Sequence, residues 1–346
     1  MIYLDPLRLK AIILSTLVDC GVSEEAANHV AESLVTTSLR GVDSHGVNLF
    51  PHYVRAVKAG RIKARPNIAV TQTGLSVARL DADHAFGHYA GSMAMAKATE
   101  LARQTGIGAV SVSNSTHFGA AAYFALQAAN ADCIGLALTN ADALVKAYGA
   151  KKSFFGTNPV CFAVPLDHEE PYCLDMATSL VSWNKVLTFR RRGEKIPKDW
   201  AFDADGCSVE NPDMSVSLNP AGGYKGFGLG MIVDVFCALL SESVISKDIL
   251  PMFTSPIEQR RKISHFFMAF RISNFCDVNR FRSSMQSMVD RVRTLEPIDA
   301  DIPVMVAGDP EKYHQQMRIK SGIPIEEEKY TELIAVNAEF SSAVIR

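Results

Sequence analysis

Apolar positions change their spacing several times along this chain, and each change marks an element. Leu7, Ile12, Ile13, Leu14 and Leu17 form a broad helical face. It begins at Asp5-Pro6, an N-cap followed by proline in the first turn, and stops at Gly21. Ser23-Glu24-Glu25 opens a second helix that runs to about Leu39, with Gly41 as its stop. The two predict an N-terminal helical lobe. Residues 67 to 80 read as strands around Gly74, and His88 to Gln104 as an Ala- and Met-rich helix. Its small residues predict close packing on a sheet or another helix. Ile107 to Val112 has the β-branched composition of a buried strand, and AAAYFALQAAN (120–130) that of a helix. Ile134 to Leu138, Val160 to Val164 and SHFFMAFRI (264–272) read as further strands. Met231 to Leu240 reads as an apolar helix, and Asp277 to about Leu295 as an amphipathic one. Two more helices follow, one after Gly308 and one over roughly 326 to 336. Residues 186 to 219 read as loop-rich. The pattern is α/β.

Composition narrows the class. The chain has 346 residues, enough for a large core and two or three lobes. A net charge of −2 gives no reason to expect nucleic acid or an anionic membrane as partner. The run Arg190-Arg191-Arg192 reads as a solvated face. No apolar run approaches a membrane span and the N-terminus lacks a signal pattern. Seven cysteines, an odd number with no C-x-x-C pair, point to free thiols and a cytoplasmic protein.

The candidate chemistry lies where elements meet. In GIGAVSVSNSTHFG (106–119) a histidine, His117, sits where a buried strand hands over to a helix. Strand ends are rigid and their loops open, and an imidazole there can pass a proton in either direction. A second histidine, His45, lies between two helices in RGVDSHG (40–46), flanked by Ser44 and Gly46, with Arg40 and Asp43 nearby. The next strand ends in Thr139-Asn140-Ala141. If the two strands are neighbours in one sheet, both loops line one crevice. Leu174-Asp175-Met176-Ala177-Thr178-Ser179 puts a carboxylate and hydroxyls at a strand end or helix start, suited to ribose, phosphate or plain capping. Lys225, among the glycines of Gly222 to Gly230, can reach an anion. Neither a phosphate-loop motif nor G-x-G-x-x-G is present, so a Rossmann domain is not supported, and no zinc-ligand spacing occurs.

Taken together and in order, RGVDSHG, GIGAVSVSNSTHFGAAAYF, FGTNPVCFAVP, LDMATS, IPKDWAFDADG, GGYKGFGL, SHFFMAF and GDPE resemble the type-2 malate/L-lactate dehydrogenase family. They span nearly the whole chain, with some leaning toward its ureidoglycolate dehydrogenase branch. The resemblance implies a non-Rossmann α/β fold of the malate/L-lactate (sulfolactate) dehydrogenase type, with a helical lobe built from both termini. It implies residues 1–75 as an N-terminal helical lobe and substrate loop. Residues 76–295 become a cofactor-binding core, and 296–346 a C-terminal segment packed on the helical lobe. It implies an NAD(P)-dependent oxidoreductase acting on a small 2-hydroxy or 2-oxo acid such as malate, lactate or ureidoglycolate, with NAD slightly favoured over NADP. Reduction of a cyclic imine carboxylate, or a catalytically silent cofactor-binding protein, are the alternatives. A homodimer is implied, with the cofactor near the subunit interface. His117 and His45 match the family's catalytic histidines. Cofactor contacts fall on Asn140, Ala141, Asp175, Met176, Ala177, Tyr224, Lys225 and Gly308. Ser44 and Arg40 fall on the substrate side. At Asn48 the chain departs from the family, in which many members carry an arginine suited to clamping a carboxylate. Arg40 or Lys225 would then supply the charge, or the substrate differs.

Overall fold

The computed structural model describes residues 1–340. Its centre is a seven-stranded sheet in the order Ala69–Gln72, Val77–Asp81, Ile107–Ser115, Ile263–Arg271, Cys133–Thr139, Val160–Val164, Tyr172–Met176. The strands that carry the two polar loops, Ile107–Ser115 and Cys133–Thr139, are not neighbours. Ile263–Arg271 lies between them, antiparallel to both. The outer two therefore run parallel to each other, and their C-terminal ends still reach the same edge of the sheet.

One residue fastens that edge. His265, fully buried in the central strand, meets the Thr139 hydroxyl through Nδ1 at 2.7 Å and the Ser115 hydroxyl through Nε2 at 2.8 Å. Its ring also stacks on Phe118, with centroids 4.6 Å apart. One imidazole thus pins both neighbouring strands at the point where each becomes a loop.

The helices Gly87–Thr105 and Ala122–Ala129 cover one face of the sheet through Ala90, Ala94, Ala98, Ala125 and Ala128. Small residues on both sides make the approach possible. A Cβ on Gly108 would stand 2.0 Å from the Ala98 carbonyl oxygen, and one on Gly135 would stand 2.3 Å from that of Ala125.

The first two helices, Pro6–Asp19 and Glu24–Leu39, form a lobe with Phe50–Lys58 and with elements from the far end of the chain. Asp5 and Ser23 cap them as the sequence predicts. Leu9, Ile13 and Leu17 share one core with Leu34, Phe50, Ile323, Ile325, Leu333 and Val336. Ile2–Leu4 pairs antiparallel with Ile323–Ile325, and Asn337 donates to the Thr16 hydroxyl. Arg318, on the helix Asp309–Ser321, makes a two-pronged pair with Asp43 at 2.6 and 2.9 Å. That pair ties the chain's end to the loop bearing His45. The hairpin of Ala69–Gln72 and Val77–Asp81 straddles residue 75, so both its strands belong to the sheet.

Residues 186–219 are more ordered than their polarity suggests. They hold most of the helix Trp183–Arg192 and three short strands, Ala201–Phe202, Ser208–Val209 and Ser217–Leu218. These join Val145–Lys146 and Ser153–Phe155 in a small second sheet. Val186, Ile196, Ala201 and Leu218 make its core, too sparse in sequence to show as a period. Arg190–Arg192 is the last turn of that helix. Arg190 donates to the Pro212 carbonyl rather than facing only water.

Burial without charge has a pH consequence. Desolvation lowers the pKa of His88 and of His265 from 6.5 to about 3. The unfolded chain takes up these protons near pH 6.5, and the folded chain does not until far lower pH. Their stabilising effect is full above 6.5 and is lost as pH falls toward 3. Each group steepens the loss by up to about 1.4 kcal/mol per pH unit. Urea midpoints at pH 7 and pH 5 should show the drop, and His265→Gln should flatten it.

Candidate active site

The edge pinned by His265 opens into a cleft of 1020 Å³, at the upper end of ligand-site volumes of roughly 300–1,000 Å³. Walls come from four parts of the chain: residues 36–49, 117–190, 251–263 and 306–311. The cleft brings together most of the residues singled out from sequence. His117, His45, Ser44, Arg40, Asn140, Ala141, Asp175, Ala177 and Gly308 all line it.

His117 follows the strand Ile107–Ser115 by two residues, so the sheet edge restrains its backbone. Its Nδ1 lies 2.6 Å from the Tyr53 hydroxyl, on the helix Phe50–Lys58. Tyr53 is buried, and desolvation pushes its pKa up well beyond the usual phenol range, so it stays a neutral hydrogen-bonding group. The His45 ring stacks 5.6 Å from His117, and its Nδ1 meets the Ser44 hydroxyl at 2.9 Å. Burial lowers the pKa of both histidines, and the charges of His45, His88 and Arg261 lower His117 further. Two imidazoles this close resist carrying a proton each. Near neutral pH both are bases.

Several cofactor candidates prove to be framework as well as wall. The Asn140 side chain accepts from the Ser264 N–H at 2.9 Å and donates to the Val244 carbonyl at 3.2 Å. The Ala141 N–H donates to Asn158 Oδ1. What these two residues can offer a ligand is surface rather than free polar groups. Asp175 is the penultimate residue of the strand Tyr172–Met176, so its motif is a strand end and not a helix start. Its carboxylate accepts from the Ala122 N–H at 2.8 Å and caps the helix Ala122–Ala129. The side chain shows its surface to the cleft yet lies deep in the protein, and desolvation raises its pKa to about 6. Gly308 has φ +96°, and a Cβ there would meet the Cys173 backbone at 3.1 Å. The position takes glycine on both counts.

Other candidates lie elsewhere in the chain. Met176 and Asn48 do not line the cleft; at the His45 turn it is Leu49 that does. Tyr224 and Lys225 begin the helix Tyr224–Asp234 and are exposed, outside the cleft. Gly222 and Gly223, both with positive φ, form the turn before that helix, and Gly226 lies in its first turn.

Sequence reading missed Tyr53, Asp142, Arg261 and Phe253. Tyr53 sits beside His52 on an ordinary amphipathic helix, and its role depends on a contact 64 positions away. Arg261 comes from a polar, irregular stretch, yet its side chain is only 4% exposed and pairs with Asp142 in the cleft wall. No local signal marks either.

The cleft has the size and groups to take a dinucleotide beside a small acid. Asp175, Gly308, the two histidines and Arg261 all line it. Among the described residues no cluster of metal-ligating side chains occurs, and no helix is long and apolar enough to cross a membrane. Comparison with known proteins agrees with this architecture. Residues 4–334 match the malate/L-lactate dehydrogenase family. The malate dehydrogenase of Pyrococcus abyssi is 36% identical over 336 residues, covering 94% of this chain and 91% of that protein. The NAD(+)-dependent ureidoglycolate dehydrogenase of Escherichia coli strain K12 is 31% identical over 327 residues, covering 94% and 93%. The crystal structure of malate dehydrogenase from Entamoeba histolytica superposes with a TM-score of 0.93 at 28% identity, covering 98% of each chain. The chain belongs to the malate/L-lactate dehydrogenase family.

Proposed function

We propose that this protein is an NAD(P)-dependent oxidoreductase that exchanges a hydride between nicotinamide and a small 2-hydroxy or 2-oxo acid, with His117 as the acid/base. The carrying observation is the 2.6 Å contact between Tyr53 and His117 at a strand end inside the cleft, with a second imidazole alongside. Malate and ureidoglycolate, which give two relatives their names, are both 2-hydroxy acids. The bound nicotinamide supplies the hydride acceptor or donor.

The protein supplies position, charge and a proton path. In the tautomer protonated on Nδ1, Nε2 of His117 has the lone pair that takes the substrate hydroxyl proton as the alcohol is oxidised. In reduction the same nitrogen returns it. Tyr53 fixes the ring. His45, held by Ser44, contacts or orients the substrate oxygen. The division into residues 1–75, 76–295 and 296–346 belongs to this reading. So does a cytoplasmic location, which the seven free cysteines support.

Asp175 and Glu311 both face the cleft beside Gly308. A 2′-phosphate would meet two carboxylates there, which favours NAD over NADP. NADH should bind more tightly than NADPH in fluorescence titrations, and Asp175→Asn should narrow the gap. Tighter NADPH binding by the unaltered protein would reject the assignment.

A homodimer is part of the same reading. Leu229, Met231, Ile232, Leu239 and Leu240 are exposed along the helix that starts at Tyr224 and its continuation, an apolar stripe that a second copy would cover. Within one chain Tyr224 and Lys225 do not reach the cleft, so a cofactor role for them requires that second copy. Light scattering should give twice the 37.7 kDa chain mass. A fully active monomer would contradict it.

The histidine roles are separable by kinetics. His117→Ala should lower kcat by about 10²-fold or more while cofactor binding survives. Tyr53→Phe should lower kcat on the order of 10²-fold through misplacement of the ring. His45→Ala should raise KM more than it lowers kcat. Because the His117 pKa lies below 6.5, kcat/KM for oxidation should rise with pH below that value and be level at pH 7. For reduction it should be level below the His117 pKa and fall with pH above it. His117→Ala should abolish this limb. Loss of the limb in His45→Ala, with retention in His117→Ala, would reverse the roles.

A further inference from the structure

The turn FGTNP (155–159) is one of the chain's motifs, yet it has no part in the chemistry described so far. Two of its residues, Thr157 and Pro159, line the cleft, and Asn158 between them does not. Asn158 is fully buried with φ +32°, a backbone conformation that asparagine and glycine adopt more readily than other residues. Its amide is used at both ends. Oδ1 accepts from the Ala141 N–H at 3.1 Å, and Nδ2 donates to the Gly230 carbonyl at 2.9 Å. A donor on one side and an acceptor on the other fix which way round the amide stands.

The same turn touches the cleft wall at two more points. A Cβ on Gly156 would stand 2.4 Å from the Ala141 carbonyl oxygen, so turn and Ala141 peptide are in close contact. The Thr157 carbonyl accepts from the Thr178 N–H at 2.8 Å and from the Thr178 hydroxyl at 3.0 Å, next to cleft-lining Ala177. Behind the turn stands the helix Tyr224–Asp234. A Cβ on its Gly230 would come within 3.0 Å of the Thr178 hydroxyl. At its end Asp234 accepts from the Ser246 N–H at 2.9 Å. The Ser246 hydroxyl lies 3.0 Å from Asp234 Oδ1 and 3.2 Å from Asn158 Oδ1. Ser246 and Asp234 are buried as well. Asn158 is thus the side chain at which the Ala141 wall, the helix behind it and Ser246 meet.

We propose that Asn158 is a positioning residue for the dinucleotide. It holds the Asn140–Ala141 wall in place against the helix Tyr224–Asp234, and so sets cofactor affinity without touching the cofactor. This rests on the dehydrogenase reading above, in which Asn140, Ala141 and Ala177 border the cofactor. Without the amide, the Ala141 N–H loses its acceptor in closed space, and the wall shifts to find another. The reacting groups are not held this way. His117 and Tyr53 stand on other segments and are fixed by their own contact. Loss of Asn158 therefore acts on binding and spares the proton transfer.

The test compares Asn158→Gly with the unaltered protein, since glycine keeps the positive φ and removes the amide. NADH binding, followed by fluorescence titration, should weaken on the order of 10-fold. The kcat for a 2-oxo acid at saturating NADH should change much less. A side chain needed only for folding would instead lower the fraction of active protein and leave the Kd of that fraction unaltered. Ser246→Ala removes only the hydroxyl behind Asn158, so it decides the matter if Asn158→Gly fails to fold. It should raise the Kd for NADH about 3-fold, again with kcat nearly constant. An unchanged Kd in folded Asn158→Gly, or in Ser246→Ala where the glycine variant does not fold, would overturn the proposal and leave the dehydrogenase reading standing. So would a fall in kcat with Kd unaltered. Turnover of no 2-oxo acid by the unaltered protein, with the Kd shift present, would overturn the dehydrogenase reading and leave the positioning role. No NADH binding by the unaltered protein would overturn both.

Discussion

The geometry of the site depends on how His265 is paid in hydrogen bonds at the centre of the sheet. A buried imidazole with both nitrogens occupied satisfies its desolvation cost only while Ser115 and Thr139 stay in place. Two strands separated by a third are thereby held level at their C-terminal ends. His117 follows one strand by two residues and Asn140 follows the other directly. Phe118, stacked on the His265 ring, extends the restraint into the His117 loop. Placement of the reacting groups thus follows from one antiparallel insertion into the sheet.

Around that edge the chain buries more ionisable groups than it pairs. His45, His117 and Asp175 all face the cleft, and desolvation moves each toward its neutral form. Such shifts concentrate where proton transfer or charge recognition is needed. The ion pairs have a different task. Arg318 with Asp43, and Arg40 with Glu170, fix the His45 loop to the C-terminal helix and to the sheet side of the cleft. Glu169 accepts from Arg293, Lys312 and Gln286, and Arg293 also pairs with Asp309, the residue after Gly308. These pairs hold the walls, while the less paired groups face the space between them.

Much of the frame was legible in the residues themselves. Asp5-Pro6, Ser23 and the run after Asp277 cap the helices that they predict. Glycine and alanine marked the close contact of helix and sheet, because only small side chains allow it. The positions of His117 and His45 at element boundaries were visible as well. Residues 186–219 were less legible, since two-residue strands are too short to show a period. The glycines near Lys225 mark a helix start, and the helix lies outside the cleft of its own chain.

Sequence alone determined the elements, the two histidines as candidates, the absence of a Rossmann fingerprint and, through its motifs, the family resemblance. These are properties of local spacing and order, which the chain carries whether folded or not. Tertiary structure decided which residues meet. It inserted the strand Ile263–Arg271 between two others, set Tyr53 against His117, and brought Arg261 to Asp142 across 119 positions. It also turned Leu49 rather than Asn48 into the cleft. Such pairings depend on burial, on crossing strands and on which face of a short turn packs inward. None of these leaves a period or a motif in the chain.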